Sequence, residues 1–500
     1  MRPEEEQPSK EQRHRGAGPV PVDAVDALSH RLAQLRDEQW VKQALEAALR
    51  DMANGPVEVT AFQIEYCKIR PKRDINVALN LTLRMRWSGG PIQRRVSCTL
   101  WSGVETARRQ YADETLRLEP DFLDASRGLD GFERLMTLVP DVAMVVRLFP
   151  ADRTLGGLVP AIVASRMLPL LDNFLPACRE EGWRARDLQY VVVRYKPEHL
   201  CTLRYLVHMS RPFRLEARTQ EVYGKVYQDE HWRSAFDVLE ACWTAASRSD
   251  GAWRVARPIV AMPAWRFSLQ EAVSGRGFRQ VIADLVHDDA SEADLAQAEE
   301  HLRALARAIR SFQRAPVRLG PRRDFGWLLA RPLRNLPYLQ QSEPALAEDL
   351  TRLTQELMRL EQTIPDAALG LAHCDLVHDK VLIDGHHIGI IDLDRAGQAE
   401  PPYDVACFLT HLCSFGTRHP QWRQQVQRLS ETLRAAYLGL APEVSRERLA
   451  LYEALDLASY VLRNFPRQIH RATWLPWAQG QTEAAWSRLG QAARHGRLPS

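Results

Sequence analysis

The sequence lacks several features that would assign a 500-residue chain to a class at once. No apolar run approaches the ~20 residues that a membrane-spanning helix requires. Residues 1–22 are charged and contain several prolines, which predicts a disordered tail and no signal peptide. The formal net charge is only +3, so we expect neither nucleic acid nor a membrane as a partner. The eight cysteines include no Cys-x-x-Cys pair, which favours reduced, buried thiols in a cytoplasmic protein.

The segment 371–412 carries the pattern that indicates a function. Two short apolar runs joined by the turn dipeptide Asp384-Gly385 predict a hairpin. Asp392 follows the return strand directly, beside the loop that carries Asp375. Because two neighbouring carboxylates repel each other unless a cation or a proton lies between them, the pair favours a bound cation. Magnesium on nucleotide phosphates suits such a site, since it needs only one or two protein carboxylates.

At these residues the sequence resembles the aminoglycoside phosphotransferase family, whose fold is that of the protein kinases. The family carries a loop of the form H-x-D-L-x-x-x-N-x-L, then a hairpin, the motif I-D-x-[DE] and a D-x-A helix start. The charged and imidazole positions of this pattern fall on His373, Asp375, Asp392, Asp394 and Asp404. Lys380 departs from the pattern, because the family usually has asparagine there.

A kinase-like C-lobe implies an upstream sheet with a phosphate-binding lysine. Three runs rich in aromatic and β-branched residues, 190–195, 201–207 and 221–227, predict the strands of this sheet. Lys225 on the third strand is the candidate lysine. The turn between the first two strands contains no glycine, so it differs from the glycine-rich loop of the protein kinases.

The resemblance implies two further contacts with the nucleotide site. A carboxylate from the next helix would hold the lysine in place; both Asp237 and Glu240 lie on that helix, and we favour Glu240. The segment 268–275, which contains Glu271, resembles the family's hinge, where an adenine edge meets main-chain groups. The alternative interpretation of this segment is a simple linker strand.

The sequence before residue 185 repeats part of this pattern. Residues 64–74 resemble residues 191–200. The third strand is at the same distance in both copies, with 28 residues from Pro71 to Thr99 and 28 from Pro197 to Lys225. An equal spacing without a gap favours a duplicated sheet; the alternative is a chance similarity of two basic hairpins. Thr99 stands opposite Lys225, so the first copy cannot clamp phosphate there. We interpret it as a degenerate N-lobe that caps or docks on the working one.

These observations predict an α+β protein. Its expected architecture is a bilobal protein-kinase-like fold with an additional N-terminal α+β cap domain that resembles a second N-lobe. The length agrees with roughly two to four domains. The predicted layout is a tail at 1–22, an N-terminal domain at 23–150, a helical linker at 151–185, a kinase-like N-lobe at 186–272 and a helical C-lobe at 273–500.

The resemblance also implies ATP and Mg²⁺ as cofactors and assigns roles to the candidate residues. Asp375 would orient the substrate hydroxyl and accept its proton, while His373 would brace the loop. Lys225 would offset phosphate charge, and Asp392 would hold Mg²⁺ on the nucleotide phosphates. Asp404 would tie the loop to the helix that it precedes.

Lys380 leaves three alternatives open, because an ammonium group has no lone pair to give to a metal ion. The lysine reaches a phosphate and replaces the charge of a second ion, or Asp394 recruits an ion instead, or metal binding has been lost. Two hypotheses about function follow. The first is an ATP-dependent kinase of a sugar, amino alcohol or aminoglycoside-like metabolite. The second is a pseudokinase that binds nucleotide or a partner protein without phosphoryl transfer.

Overall fold

The computed structural model describes residues 34, 37–53, 55–70, 76–87, 90–126, 132–212, 215–249, 251–468, 471 and 473–495. The predicted disordered tail at 1–22 lies outside the described residues, as do residues 71–75 in the first copy of the repeat. The chain divides into two compact units. The N-terminal unit comprises residues 1–153 and 466–472, and the C-terminal unit comprises residues 154–465 and 473–500.

In its described residues, the N-terminal unit contains an antiparallel five-stranded sheet and two helices. In chain order its elements are α1 (Glu38–Met52), β1 (Glu58–Arg70), β2 (Asn76–Trp87), β3 (Gly90–Trp101), α2 (Val104–Ser126), β4 (Met136–Val139) and β5 (Met144–Leu148). Asp37 caps α1, because its carboxylate accepts a hydrogen bond from the backbone N–H of Trp40 at 3.0 Å. The buried residues of α1 recur at spacings of three and four, as in an amphipathic helix.

The C-terminal unit begins with three short helices and a second five-stranded sheet. These elements are α3 (Leu158–Ile162), α4 (Ala164–Phe174), α5 (Pro176–Glu181), β6 (Arg184–Lys196), β7 (Leu200–Ser210), β8 (Ala217–Tyr227), α6 (His231–Ala246), β9 (Trp253–Arg254), β10 (Pro258–Met262) and β11 (Phe267–Glu271). Side chains of β7 alternate between buried and partly exposed along its whole length. This alternation is the period of a strand with one face in the core.

The rest of the C-terminal unit is mainly helical. Its elements are β12 (Arg276–Gly277), α7 (Phe278–Leu285), α8 (Glu292–Arg314), β13 (Arg322–Arg323), α9 (Phe325–Leu333), α10 (Leu336–Ser342), α11 (Pro344–Glu361), β14 (Gly370–Ala372), β15 (Val381–Asp384), β16 (His387–Ile390), β17 (Gly397–Ala399), α12 (Pro402–Arg418), α13 (Arg423–Leu440), α14 (Arg446–Gln468) and α15 (Trp474–His495). Two small sheets have the strand orders β12-β15-β16-β9 and β13-β17-β14. The predicted hairpin is confirmed as β15 and β16, with Gly385 at φ +61° in its turn.

The two five-stranded sheets have the same strand order. It is β1-β2-β3-β5-β4 in the N-terminal unit and β6-β7-β8-β11-β10 in the C-terminal unit. In each copy a helix follows the third strand, and a short 3₁₀ turn that starts with proline joins the last two strands. Each of these turns ends in a residue with positive φ, Ala143 in one copy and Arg266 in the other. This agreement supports the predicted duplication of the sheet.

The N-terminal copy has a buried ion pair near the position that corresponds to Lys225. Thr99 and Lys225 are each the third residue from the end of their strand. Arg147 on β5 donates to Thr99 at 3.0 Å and makes two hydrogen bonds to Glu114 of α2, at 2.6 and 2.7 Å. Glu114 follows Thr99 by 15 residues, as Glu240 follows Lys225. The first copy therefore holds its cation on the fifth strand instead of the third.

The two antiparallel five-stranded sheets, together with the many helices, confirm the α+β class. Within the C-terminal unit, a five-stranded sheet precedes a mainly helical part, which is the bilobal order of a kinase-like fold. The boundary between the units falls after residue 153, and the finer predicted layout stays a prediction. All eight cysteines are free thiols, and seven of them are buried. Within the described ranges, no helix combines the length and apolar character that a membrane crossing would require.

Candidate active site

Lys225 lies on β8, the central strand of the second five-stranded sheet. It is paired across the sheet with Thr202 of β7 and Ser268 of β11. The neighbouring Gly224 is required by packing, because a Cβ there would lie 2.5 Å from the ring of Phe267 and 2.8 Å from that of Tyr205. The glycine therefore lets two aromatic rings close over the strand next to the lysine.

The ammonium group of Lys225 lies between two carboxylates. Its Nζ atom is 2.5 Å from Oδ1 of Asp392 and 2.5 Å from Oδ1 of Asp394. Burial alone would lower the pKa of Lys225, but the charges of the two aspartates outweigh burial and hold that pKa well above its ordinary value. The structure thus brings together the predicted lysine and both predicted metal carboxylates.

Asp392 holds a second lysine as well. It directly follows β16 with a φ of +67°, a left-handed conformation that costs about 1–2 kcal/mol for most residues but is more common for Asp. Its Oδ2 atom accepts a hydrogen bond from Nζ of Lys380, while Oδ1 accepts one from Lys225. Burial opposes ionisation of Asp392, yet the two ammonium charges lower its pKa well below the ordinary value. The carboxylate is therefore ionised at neutral pH.

Asp394 has two further partners that were not predicted from the sequence. Its Oδ1 atom accepts a hydrogen bond from the hydroxyl of Tyr227 at 3.3 Å, and its carbonyl oxygen lies 2.7 Å from Nε2 of His231. Burial and the charge of Asp394 raise the pKa of Tyr227, so the phenol keeps its proton and donates. A signal for Tyr227 exists in the sequence, because a residue two positions after Lys225 lies on the same face of the strand.

The loop before the hairpin is held by Asp404 at the start of α12. The Asp404 carboxylate accepts hydrogen bonds from the backbone N–H groups of His373, at 2.7 Å, and Cys374, at 2.9 Å. Burial raises the pKa of Asp404, against the lowering effect of His373 and the two N–H groups. Nε2 of His373 lies 2.9 Å from the carbonyl oxygen of Ile391. These contacts connect the loop to α12 and to the residue before Asp392.

Asp375 lies on the same loop and is partly open to solvent. Its side chain is 36% exposed, and Oδ1 is 3.3 Å from Nη1 of Arg395. Burial would raise the pKa of Asp375, but the charges of Arg395 and Arg463 lower it below its ordinary value. Asp375 is therefore ionised at neutral pH and can accept a hydrogen bond or a proton. Arg395 was not predicted, although it follows Asp394 immediately in the sequence.

Two predicted cofactor residues do not join this cluster. Glu240 is exposed on α6, and the described structure contains no ion pair between it and Lys225. Lys225 forms its ion pairs with Asp392 and Asp394 instead of Glu240. Glu271 is the last residue of β11; its N–H donates to the carbonyl oxygen of Arg257 at 2.9 Å, and burial raises its pKa. A nucleotide-binding role for Glu271 stays a prediction.

The carboxylates have the arrangement that a divalent cation on phosphates requires. One oxygen of Asp392 and one of Asp394 converge on the single nitrogen of Lys225, so a cation position between them is already defined. Across the described part of the chain, no cluster of three or more His, Cys, Asp or Glu side chains forms a complete metal site. Mg²⁺ does not need one, because phosphates and water supply its other ligands. The residues present therefore fit Mg²⁺ as a partner of a nucleotide.

Residues 252–452 match the sequence model of the phosphotransferase enzyme family, APH. The matched segment is less than half of the chain and includes His373, Asp375, Asp392 and Asp404, whereas Lys225 precedes it. The match confirms the resemblance to this family that the loop and hairpin predict. None of the curated proteins matches the sequence significantly.

Several solved structures are similar to part of the chain. A choline/ethanolamine kinase family protein from Mesorhizobium loti is 15% identical, with 66% of this chain and 94% of that one covered at a TM-score of 0.41. A choline kinase from Cryptosporidium parvum is 12% identical, with 67% and 98% covered at 0.43. The ADP-bound aminoglycoside phosphotransferase APH(2'')-Ib is 11% identical, with 62% and 94% covered at 0.39.

Proposed function

We propose that the protein is an ATP- and magnesium-dependent phosphotransferase that acts on a hydroxyl group of a small metabolite. The observation that carries the proposal is the meeting of Lys225, from the sheet, with Asp392 and Asp394, from the turn after the hairpin. Ionised Asp375 lies on the adjoining loop, partly open to solvent. The family match over residues 252–452 supports the reaction class.

Asp375 acts on the acceptor hydroxyl. Because its pKa is lowered, the carboxylate is present at neutral pH and accepts a hydrogen bond from that hydroxyl. A carboxylate is a weak base, so its main contribution is to orient the oxygen for in-line attack and to receive the proton as the new bond forms. The contacts of Asp404 with the loop backbone keep this carboxylate in position.

Lys225, Asp392 and Asp394 serve the nucleotide phosphates. Asp392 and Asp394 would hold Mg²⁺, which when bound neutralises charge on the phosphates. Lys225 would donate to the phosphate oxygens of a bound nucleotide. Tyr227 keeps Asp394 oriented, because its protonated hydroxyl donates to the same oxygen that Lys225 contacts.

Lys380 supplies a fixed positive charge beside Asp392. Its ammonium group contacts the Asp392 oxygen that Lys225 leaves free. This contact favours the first of the three alternatives for Lys380, in which the lysine replaces the charge of a second metal ion. Phosphoryl transfer depends on positioning and charge neutralisation more than on covalent chemistry, so a lysine suffices for this role.

One observation favours the pseudokinase as a second candidate. Asp392 pairs with two lysines, Asp394 with Lys225, and Asp375 with Arg395, so each acidic group of the site has a cation from the protein itself. A site balanced in this way is stable without metal or nucleotide. Nucleotide binding that does not depend on magnesium would fit this arrangement. A cytoplasmic location belongs to both candidates, because free thiols suit a reducing compartment.

The two candidates differ in ATP consumption. We expect thermal stabilisation by ATP that requires magnesium, followed by ATP consumption with at least one compound from a panel of sugars and amino alcohols. Asp375→Asn should lower that turnover by about 10²-fold or more, because it removes the proton acceptor. Asp379→Asn is the matched control, since Asp379 is on the same loop but 57% exposed. Equal turnover in both variants would refute the role of Asp375. Absence of ATP consumption with every compound, or ATP binding indifferent to magnesium, would favour the pseudokinase.

A further inference from the structure

One arginine of a group of four contacts the proposed proton acceptor. Nη1 of Arg395 contacts Asp375 at 3.3 Å, and the backbone oxygen of Arg395 accepts a hydrogen bond from Nη1 of Arg323. Arg463 on α14 adds its charge to the environment of Asp375, and Arg331 on α9 lies within the electrostatic reach of the other three. These residues come from β13, α9, the turn after the hairpin and α14, so the fold assembles the cluster from distant parts of the sequence.

Trp327 brings two of these arginines together. The guanidinium carbon of Arg323 lies 5.2 Å from the centroid of the Trp327 ring, and that of Arg331 lies 5.5 Å from it. Both distances are within the ~6 Å range of a cation–π contact. Two like charges at one ring repel each other, and the attraction of the ring offsets part of that repulsion. The ring itself is 39% exposed, so it is also open to a ligand.

The carboxylates near this cluster do not balance its charge. Asp375 pairs with Arg395, and Asp456 pairs with Arg463 at 2.7 Å. Within the described ranges, neither Arg323 nor Arg331 has a carboxylate oxygen within 4.0 Å.

We infer that the hydroxyl-bearing acceptor carries an anionic group, a carboxylate or a phosphate monoester, which binds to Arg331 while the hydroxyl meets Asp375. This inference rests on the proposed phosphotransferase function and names the substrate class. Arg331 is exposed, so its guanidinium is accessible to a ligand, and its planar donors match two oxygens of either anion. The exposed ring of Trp327 offers an apolar surface for the carbon skeleton. A cationic acceptor would meet the positive charge of Arg331 at the same place.

The test compares four probes that share one three-carbon skeleton. They are glycerate, glycerol 3-phosphate, neutral glycerol and the cationic 3-aminopropane-1,2-diol, and their dissociation constants are measured by ligand-observed NMR. The full-length protein is used with magnesium and a non-hydrolysable ATP analogue. We expect at least one anion to bind about tenfold more tightly than glycerol, and the amine to bind no better than glycerol. The two anions distinguish a carboxylate from a phosphate monoester.

Variants of Arg331 connect the preference to this side chain. Arg331→Gln should remove the tenfold preference, about 1.4 kcal/mol, and leave glycerol binding unchanged. Arg331→Lys keeps the charge but loses the paired donors, so an intermediate preference is expected. Arg303→Gln is the matched control, because Arg303 pairs with Glu299 and Glu300 on α8 and has no part in the site. Equal binding of all four probes, or tighter binding of the amine, overturns the inference.

Nucleotide affinity, measured on the same samples, separates this inference from the proposed function. Normal binding of magnesium and the ATP analogue without any preference for anionic probes would refute only the anionic acceptor. If the wild-type protein does not bind nucleotide but still prefers anionic probes, and if that preference depends on Arg331, the phosphotransferase function is refuted and the anion site is retained. If Arg331→Gln weakens nucleotide binding and leaves the probes unaffected, Arg331 serves the nucleotide phosphates and the inference is wrong.

Discussion

Lys380 offers the most direct test of how the site balances charge. Its ammonium group contacts Asp392 in the position where the resembling family usually has asparagine. We predict that Lys380→Asn converts a site with a fixed charge into one that recruits more magnesium. The substitution removes one of two cations from a largely buried carboxylate and adds an amide oxygen that is able to bind a metal ion.

The magnitude follows from the contacts. The side chains of Lys380 and Asp392 are 11% and 24% exposed, so water screens their attraction only partly. Lys225 continues to neutralise Asp392 in the variant, which limits the cost to the ~1.5–3 kcal/mol range of a hydrogen bond between charged groups. Without the competing ammonium charge, we expect the magnesium concentration at half-maximal effect to fall about tenfold, or ~1.4 kcal/mol.

The assay is a magnesium titration of thermal stability and of ATP turnover. Lys380→Met is the matched control, because it removes the charge without adding an oxygen. If the lysine replaces the charge of a metal ion, turnover falls in the methionine variant and is not recovered by magnesium. The asparagine variant recovers its turnover as magnesium is added, with the lower midpoint. Identical magnesium midpoints in the wild type and both variants would refute the reasoning.

Three further predictions follow from the same contacts. Lys225→Met leaves Asp394 without its cation, so the free energy of unfolding in urea should fall by about 3 kcal/mol, and magnesium should partly restore it. A loss of stability that magnesium does not change would contradict the proposed cation position. Arg395→Gln removes the main charge that lowers the pKa of Asp375, so the acid limb of kcat/KM should move to higher pH, and an unmoved limb would show that this ion pair does not set the pKa. Gly224→Ala forces a Cβ against two buried rings, so it should lower the free energy of unfolding in urea by about 1–3 kcal/mol. Gly439→Ala is the control: Gly439 lies in α13 with open space around it, and the substitution should raise that free energy by about 0.5 kcal/mol. Equal effects of the two substitutions would argue against a packing role for Gly224.

The parts of the site that follow one another in the chain could be predicted from the sequence. The hairpin fixes where Asp392 and Asp394 lie, because β15 and β16 pair in register and the turn after them is short. Asp404 is recognisable for the same reason, since it follows at the first turn of the next helix. Equal spacing in the two copies also indicated the repeated sheet before its strand order was known.

The parts that depend on competition or on distant segments could not be predicted. Glu240 has the right residue type and spacing, but Lys225 pairs with Asp392 and Asp394 instead. Helical spacing alone does not show which carboxylate forms the ion pair. The arginines beside Asp375 are separated in the chain by up to 140 residues and meet only in the folded protein. Their residue types carry no local signal, because isolated arginines are usually solvated.

The buried Arg147–Glu114 pair in the N-terminal unit limits how that lobe could change. A single Thr99→Lys substitution would not regenerate a nucleotide clamp. The new ammonium group would face the guanidinium that already donates to residue 99, and Glu114 already pairs with that guanidinium. Recovery would require the loss of the arginine at the same time, through an intermediate that leaves a buried carboxylate without its partner. A lysine at position 99 with a free carboxylate partner therefore requires more than one substitution.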